Sequence, residues 1–361
     1  MSGQLMGDDV TVVFTGYAPV HFACFEPLYR HLASLAGVRV VVSGGTRMMT
    51  PHGVRYDHEL LYEPFGLPAD VVVPVEALKD LDADAYFSAH TGRIAPRSYT
   101  RSVQLFHGMS FRNLAIREEA EGFDHYFLIG PYMERGFVSR GIFEADDRRG
   151  VRIGFPKTDR LINGDLDRQK VLAEHGLSGD RPVIVYAPTG AKGNSLETIG
   201  PEVLRRLGSE DYDILIKLHD HPKGWVDWFE ALAPLEGPHL RIVWSVDVIP
   251  LLFIADLLIT DASSVANEFT LLDRPIVFLD VPLLIEEATR TGAMVDLDTW
   301  GRKAGDLVTD PVDAAGVVAK ALSDPGRHAE VRHAMVDDLF FNPGRATQAA
   351  ASWLGEQLHI G

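Results

Sequence analysis

The chain carries one cysteine in 361 residues, Cys24. A single thiol excludes an intramolecular disulfide framework and a cysteine-based zinc site, and it suits a reducing compartment. The expectation for Cys24 itself is a small core residue. Basic residues are also few: 34 Lys and Arg stand against 51 Asp and Glu, a formal net charge of −17. That balance argues against a nucleic-acid partner held on a broad phosphate-binding face, and leaves room for a small anionic substrate met by local positive charge. No run reaches the ~18 uninterrupted apolar residues of a membrane span; Val248–Thr260 comes nearest and is cut by Pro250 and Asp256. The stretch Met1 to Asp9 lacks the basic and apolar regions of a secretory signal. The expectation is a cytoplasmic chain without a transmembrane segment. Peripheral contact with the inner face of the membrane stays open, although no basic amphipathic helix announces it.

Several catalytic signatures are missing as well. There is no Gly-x-x-x-x-Gly-Lys-Ser/Thr loop, which disfavours a P-loop kinase or ATPase. No Gly-x-Gly-x-x-Gly follows the first strand, against a standard dinucleotide oxidoreductase, and no Gly-x-Ser-x-Gly elbow supports a hydrolase. Internal repeats are absent too.

What is present is an ordinary globular composition, 46% hydrophobic and 24% charged, at a length that suits two domains of about 150 residues each. Val10–Thr15 is a β-branched apolar run, followed by a turn at Gly16 and Pro19 and then by Phe25, Leu28, Tyr29, Leu32 and Leu35 at helical spacing. Further strand-like runs stand at Val38–Val42, Val71–Val75, Ala85–Phe87, Val103–Phe106, Tyr126–Ile129 and Val151–Ile153. After Pro182 a second series begins, with Val183–Ala187, Ile214–Leu218, Arg241–Trp244, Leu257–Thr260 and Ile276–Leu279 separated by helix-length segments. The reading is α/β, with two Rossmann-like domains of mostly parallel strands facing a central cleft. It assigns 1–165 to an acceptor-side domain, 166–344 to a nucleotide-binding domain, and 345–361 to a helix that crosses back to the first.

The residues that carry chemistry sit where predicted strands end, because open parallel sheets bind ligands beyond their strand C-termini. His107-Gly108 follows Val103–Phe106; the imidazole has a pKa suited to taking a proton from a hydroxyl, and Gly108 permits a sharp turn. His219-Asp220-His221 follows Ile214–Leu218, where His219 is placed to meet a phosphate or a leaving oxygen. The alternative of a metal held by that run is weaker, since alternate strand residues face opposite sides and no further ligand cluster accompanies it. Leu257–Thr260 ends in Asp261 and turns through Ser263 and Ser264 into a helix, whose start offers backbone donors to a phosphate. Plain capping by either serine accounts for the same pattern equally well. Glu268, a turn further on, is free to meet a ribose hydroxyl, though a solvent-facing Glu is the commoner arrangement. Pro156, Lys157 and Thr189 lie in two more strand exits, where Lys157, Thr189 and Lys192 are candidates for phosphate contact. Gly16 and Arg112 fall on the acceptor side.

Gln104-Leu105-Phe106-His107-Gly108, Gly154-Phe155-Pro156-Lys157-Thr158-Asp159, Tyr186-Ala187-Pro188-Thr189, Lys217-Leu218-His219 and the block Asp256–Asp280 together resemble the CDP-glycerol glycerophosphotransferase family, enzymes of teichoic-acid and capsule polymer synthesis. The resemblance runs from about residue 100 to 280. It implies a GT-B fold with the nucleotide held mainly by the second domain, His107 as base on an acceptor hydroxyl, His219 assisting at phosphate, and Ser263 and Ser264 at the diphosphate. The chain departs from the family at Met109-Ser110-Phe111-Arg112, where Thr-Pro and a Lys are usual, and at Ala262, where an aromatic residue is common.

The expected function is therefore transfer of a polyol phosphate, glycerol phosphate first, from a CDP-activated donor to the hydroxyl of a glycan or polyol acceptor, with release of CMP. Rival readings are a GT-B glycosyltransferase or nucleotide-sugar 2-epimerase using a UDP-sugar, and a non-catalytic nucleotide-binding subunit. No metal site is expected; Mg2+ is the one cofactor left open, and a homo-oligomer is compatible with the sequence.

Overall fold

The structure is a computed structural model that describes residues 9–50, 53–90, 93–109, 116, 122–219, 227–291 and 295–360. It forms two compact units. The first comprises the chain up to His107, Ile116–Asp159 and the segment from Phe340 onward; the second comprises Arg160–Leu339 together with the segment that begins at Gly108.

The first unit is built on seven parallel strands, β1 (Val10–Gly16), β2 (Val38–Gly44), β5 (Val72–Val73), β6 (Asp82–Ser88), β7 (Ser98–Leu105), β8 (His125–Leu128) and β9 (Gly150–Arg152), in the order β5-β2-β1-β6-β7-β8-β9. A separate antiparallel hairpin, β3 (Thr46–Thr50) and β4 (Gly53–Asp57), interrupts the series. β1 and β2 are buried over their last five residues, where both faces of the parallel sheet are covered, whereas β7 is polar and partly exposed over its first half. Phe14 of β1 stacks on Phe25 and Phe87 with ring centroids 4.9 and 4.8 Å apart, tying strand, helix and neighbouring strand into one core. The Pro19–Ala33 helix starts with proline at its first position, where no backbone donor is needed, and buries Phe22, Phe25, Leu28 and Leu32.

The Gly154–Asp159 motif has a structural task in this unit. Gly154 (φ +99°) lies under the carbonyl of Phe341, which leaves no room for a Cβ. Asn342 Nδ2 donates to the carbonyls of Arg152 and Ile153, both at 3.0 Å. Asp159 then accepts from the backbone N–H groups of Ala346 (3.0 Å) and Thr347 (2.7 Å), placing a carboxylate at the start of the closing helix Ala346–Leu358.

The second unit has six parallel strands, β10 (Val183–Tyr186), β11 (Asp213–Ile216), β12 (Leu240–Ile242), β13 (Leu257–Thr260), β14 (Ile276–Leu279) and β15 (Asp306–Val308), ordered β12-β11-β10-β13-β14-β15. Strands β10, β11, β13 and β14 are buried along their whole length. Both sheets thus run outward from their first strand in one direction and then in the other. The reversal falls between β1 and β6 in the first unit and between β10 and β13 in the second, the positions where open α/β sheets open a ligand crevice.

Candidate functional site

At the reversal point of the first unit, three imidazoles converge from three strand exits. Gly16 closes β1, and a Cβ there would stand 2.7 Å from His21 Cβ, so glycine is what lets the helix bring His21 back over the strand end. His21 is buried, and its Nδ1 accepts from the backbone N–H of Tyr17 at 3.1 Å, which puts its proton on Nε2. His90, just beyond β6, stacks on His21 at 5.5 Å and meets the Tyr17 ring edge-on at 4.6 Å. Its two ring nitrogens are buried without a hydrogen-bond partner, and burial, helped by the nearby His107, pulls its pKa down to about 4. His90 is therefore a neutral imidazole at physiological pH.

His107 follows β7 and is exposed, its ring centroid 4.9 Å from that of His21. Its Nδ1 lies 3.0 Å from the carbonyl oxygen of Ala89. A carbonyl only accepts, so Nδ1 carries the proton and the lone pair of the neutral ring belongs to Nε2. In that tautomer the backbone holds the ring through Nδ1, and Nε2 is the basic nitrogen.

Pro156 and Lys157 occupy a short 3-10 turn in this unit, both buried, with Lys157 Nζ 5.6 Å from the Phe155 ring centroid. The sequence expects a phosphate contact for Lys157, and its side chain is buried here. Arg112, named for the acceptor side, lies outside the described residues.

In the second unit the reversal point is organised by Asp261, which is fully buried at the end of β13. One carboxylate oxygen accepts from the backbone N–H groups of Thr189 (2.8 Å) and Ala262 (2.5 Å); the other accepts from the N–H and the hydroxyl of Ser195 at 3.0 and 2.7 Å. Because the Ser195 hydroxyl has one proton and gives it to Asp261, the Tyr186 hydroxyl must be the donor in its 2.7 Å contact with Ser195. Asn194 Nδ2 closes the loop onto the Thr189 carbonyl at 2.8 Å. Asp261 therefore shapes the loop after β10, and Thr189 stands in that loop as a buried residue.

The serine turn departs from its sequence reading in two respects. Ser264 immediately precedes the helix Val265–Phe269, yet its hydroxyl makes no capping bond, and the helix is only five residues long before it tightens into a 3-10 turn. Ser263 and Ser264 are half-buried. Glu268, the fourth residue of that helix, is buried, not solvent-facing. Gly108 packs directly on Ser264, and Asn267 Nδ2 donates to the carbonyl of Met109 at 2.8 Å, so the residues that follow His107 are fastened to the serine turn. His219 stands exposed three residues beyond β11. Among the described residues no group of three or more His, Cys, Asp or Glu is placed to hold a metal ion, and no helix is long and apolar enough to cross a membrane.

The sequence reading missed His21 and His90. The rule that found His107, a histidine just past the C-terminal end of a buried strand, finds His90 after Ala85–Phe87; His21 was concealed among the apolar residues of its helix.

Three comparisons with known proteins bear on this arrangement. Residues 83–349 match the family model described as CDP-glycerol:poly(glycerophosphate) glycerophosphotransferase. Among curated relatives, a teichoic acid poly(glycerol phosphate) polymerase of Staphylococcus epidermidis is 31% identical over 41% of this chain and 22% of its own length. A teichoic acid glycerol-phosphate primase of Bacillus spizizenii is 25% identical over 67% of this chain and 61% of its own length. The chain thus spans less than two thirds of these relatives. The solved structure of the wall teichoic acid polymerase TagF superposes with a TM-score of 0.65 at 18% identity, covering 98% of this chain and 90% of that one, which supports the GT-B fold. With three quarters of its length matched by one family model, the chain belongs to the CDP-glycerol:poly(glycerophosphate) glycerophosphotransferase family.

Proposed function

We propose that this protein transfers glycerol phosphate from CDP-glycerol to an acceptor hydroxyl and releases CMP. The observation that carries the reading is the Nδ1 to Ala89 hydrogen bond, which leaves His107 Nε2 as a base at a strand exit where ligands bind. Nε2 takes the acceptor proton, the acceptor oxygen forms a bond to the β-phosphorus, and the bond from that phosphorus to the bridging oxygen breaks, so CMP departs with the electron pair. The Ala89 carbonyl then steadies the imidazolium. Positioning and charge stabilisation do most of the work in such a transfer, and Ser263, Ser264 and His219 are the residues assigned to the donor phosphates. Family membership supports the donor class, and the acidic balance favours a glycan or polyol acceptor presented in solution, within the cytoplasm, over one embedded in an anionic bilayer.

Purified protein would be incubated separately with CDP-glycerol, CDP-ribitol, UDP-GlcNAc and UDP-glucose, each with and without Mg2+, while nucleotide release is measured. CMP release from CDP-glycerol that is lost in His107→Ala supports the reading. Release of UDP, epimerised sugar, or CMP release indifferent to His107→Ala overturns it. The paired Mg2+ arms decide whether a divalent cation takes part.

A further inference from the structure

Trp244 is 82% exposed, by far the most exposed large apolar side chain among the described residues. It lies flat on Phe229, with ring centroids 4.1 Å apart and planes 4° from parallel. Aromatic pairs in proteins more often sit offset or edge-on, and a parallel pair with one face open to solvent is the arrangement that accepts a third flat ring.

Phe229 is held in place from behind, and Trp244 rests on it. Phe229 packs on the core of the second unit, and its backbone N–H donates to Asp227 Oδ1 at 3.0 Å, which caps the short helix Trp228–Leu232; the neighbouring Trp228 is buried. Trp244 leaves β12 two residues past its end, and the chain after it is pinned where Asp247 accepts from the N–H of Ile249 at 3.0 Å and pairs with Arg160. A surface indole stacked on a ring packed against the core offers a partner a ready flat face.

Its position identifies the partner. Trp244 stands at the carboxyl end of β12, on the side of the sheet's ligand crevice, three strands from β13. At ~4.8 Å per strand that is about 14 Å from the Ser264 turn, on the order of the reach of an extended nucleoside diphosphate. We propose that the Trp244–Phe229 pair is the stacking platform for the pyrimidine base of the donor, with the phosphates toward the serine turn. The proposal rests on the donor reading above and adds the residue that grips the base.

Calorimetric titration with CDP tests it on the parent, Trp244→Phe and Trp244→Ala, with circular dichroism to check folding. A stacked base contributes enough that Trp244→Ala is expected to weaken CDP binding about tenfold, whereas Trp244→Phe, which keeps a flat ring, stays close to the parent. Equal affinity in Trp244→Ala overturns the platform, even if that variant changes its sedimentation or its adsorption to lipid vesicles. Equal weakening in Trp244→Phe and Trp244→Ala overturns it as well. A parent that binds CDP but releases no CMP from CDP-glycerol refutes the transfer reaction and leaves the platform standing; a parent that binds no CDP refutes both.

Discussion

Gly108 approaches Ser264 so closely that a Cβ on the glycine would lie 2.7 Å from the serine Oγ and 3.0 Å from its Cβ, at a φ of +152° that residues with side chains rarely adopt. Gly108 is thereby packed against the serine turn of its own unit. Gly108→Ala should cost about 1–3 kcal/mol through backbone strain and crowding and should depress CMP release more than it depresses stability. Adding Ser264→Gly removes the crowding but not the φ, so the double variant should recover stability in part. Chemical denaturation and nucleotide release on the three proteins check this; full tolerance of Gly108→Ala would show that the contact is not required.

Asp261 makes a different prediction from the one its motif suggests. Its two oxygens take four donors, from Thr189, Ala262 and Ser195. Asp261→Ala strands buried donors at 1–3 kcal/mol each, so a loss of at least about 3 kcal/mol in unfolding free energy is expected. Tyr186→Phe, which removes only the outermost donor of the same chain, should cost about 1 kcal/mol. Urea midpoints give both numbers. A fully stable Asp261→Ala protein with impaired nucleotide binding would return Asp261 to the ligand.

The contrast between those two sites shows what a sequence can carry. Runs such as Leu257–Thr260 and Ile276–Leu279 are legible because burial on both faces demands unbroken apolar residues, and a polar residue just past such a run is legible as a crevice residue. The sequence reading picks out His107, His219 and the serine turn in that way. Asp261 looks like one more crevice residue; its actual partners lie 72 and 66 positions earlier, a pairing that no local pattern records. His21 is hidden for the converse reason, since a buried histidine beside Phe22 and Phe25 interrupts a helical face without announcing a site. The 158-residue link from Asn267 to Met109 is likewise a product of the fold alone.

The Gly-Phe-Pro-Lys-Thr-Asp motif is expected to act through stability. Asp159 is the carboxylate at the start of the Ala346–Leu358 helix, accepting from two backbone donors. Asp159→Ala should lower stability by about 1–2 kcal/mol, in the range of a lost helix cap. The amides of Ala346 and Thr347 should then exchange with solvent much faster while those of β1 stay protected. Exchange that rises uniformly through the first unit would mean that the motif supports the whole sheet instead of this helix.

His90 links the histidine cluster to pH. In the unfolded chain its pKa returns to the ordinary 6.5, whereas burial holds it at about 4 in the fold. Above pH 6.5 both states are neutral there, and the group contributes no pH dependence. As pH falls from 6.5 toward 4 the unfolded chain takes up the proton first, so the native state loses stability across that window. The gap corresponds to about 3 kcal/mol when complete. His125 and His175, also lowered by burial, add in the same direction. His90→Phe keeps the flat ring against Tyr17 and His21 but cannot be protonated, so its stability should decline less than the parent's between pH 6.8 and 4.5, measured by urea denaturation at each pH. If the two proteins lose stability in parallel, His90 is protonated or solvated in the fold and the neutral-imidazole assignment fails. Because His90 is buried, the same variant should leave nucleotide affinity unchanged at pH 7.5, which separates its place in the packing from any direct hold on the donor.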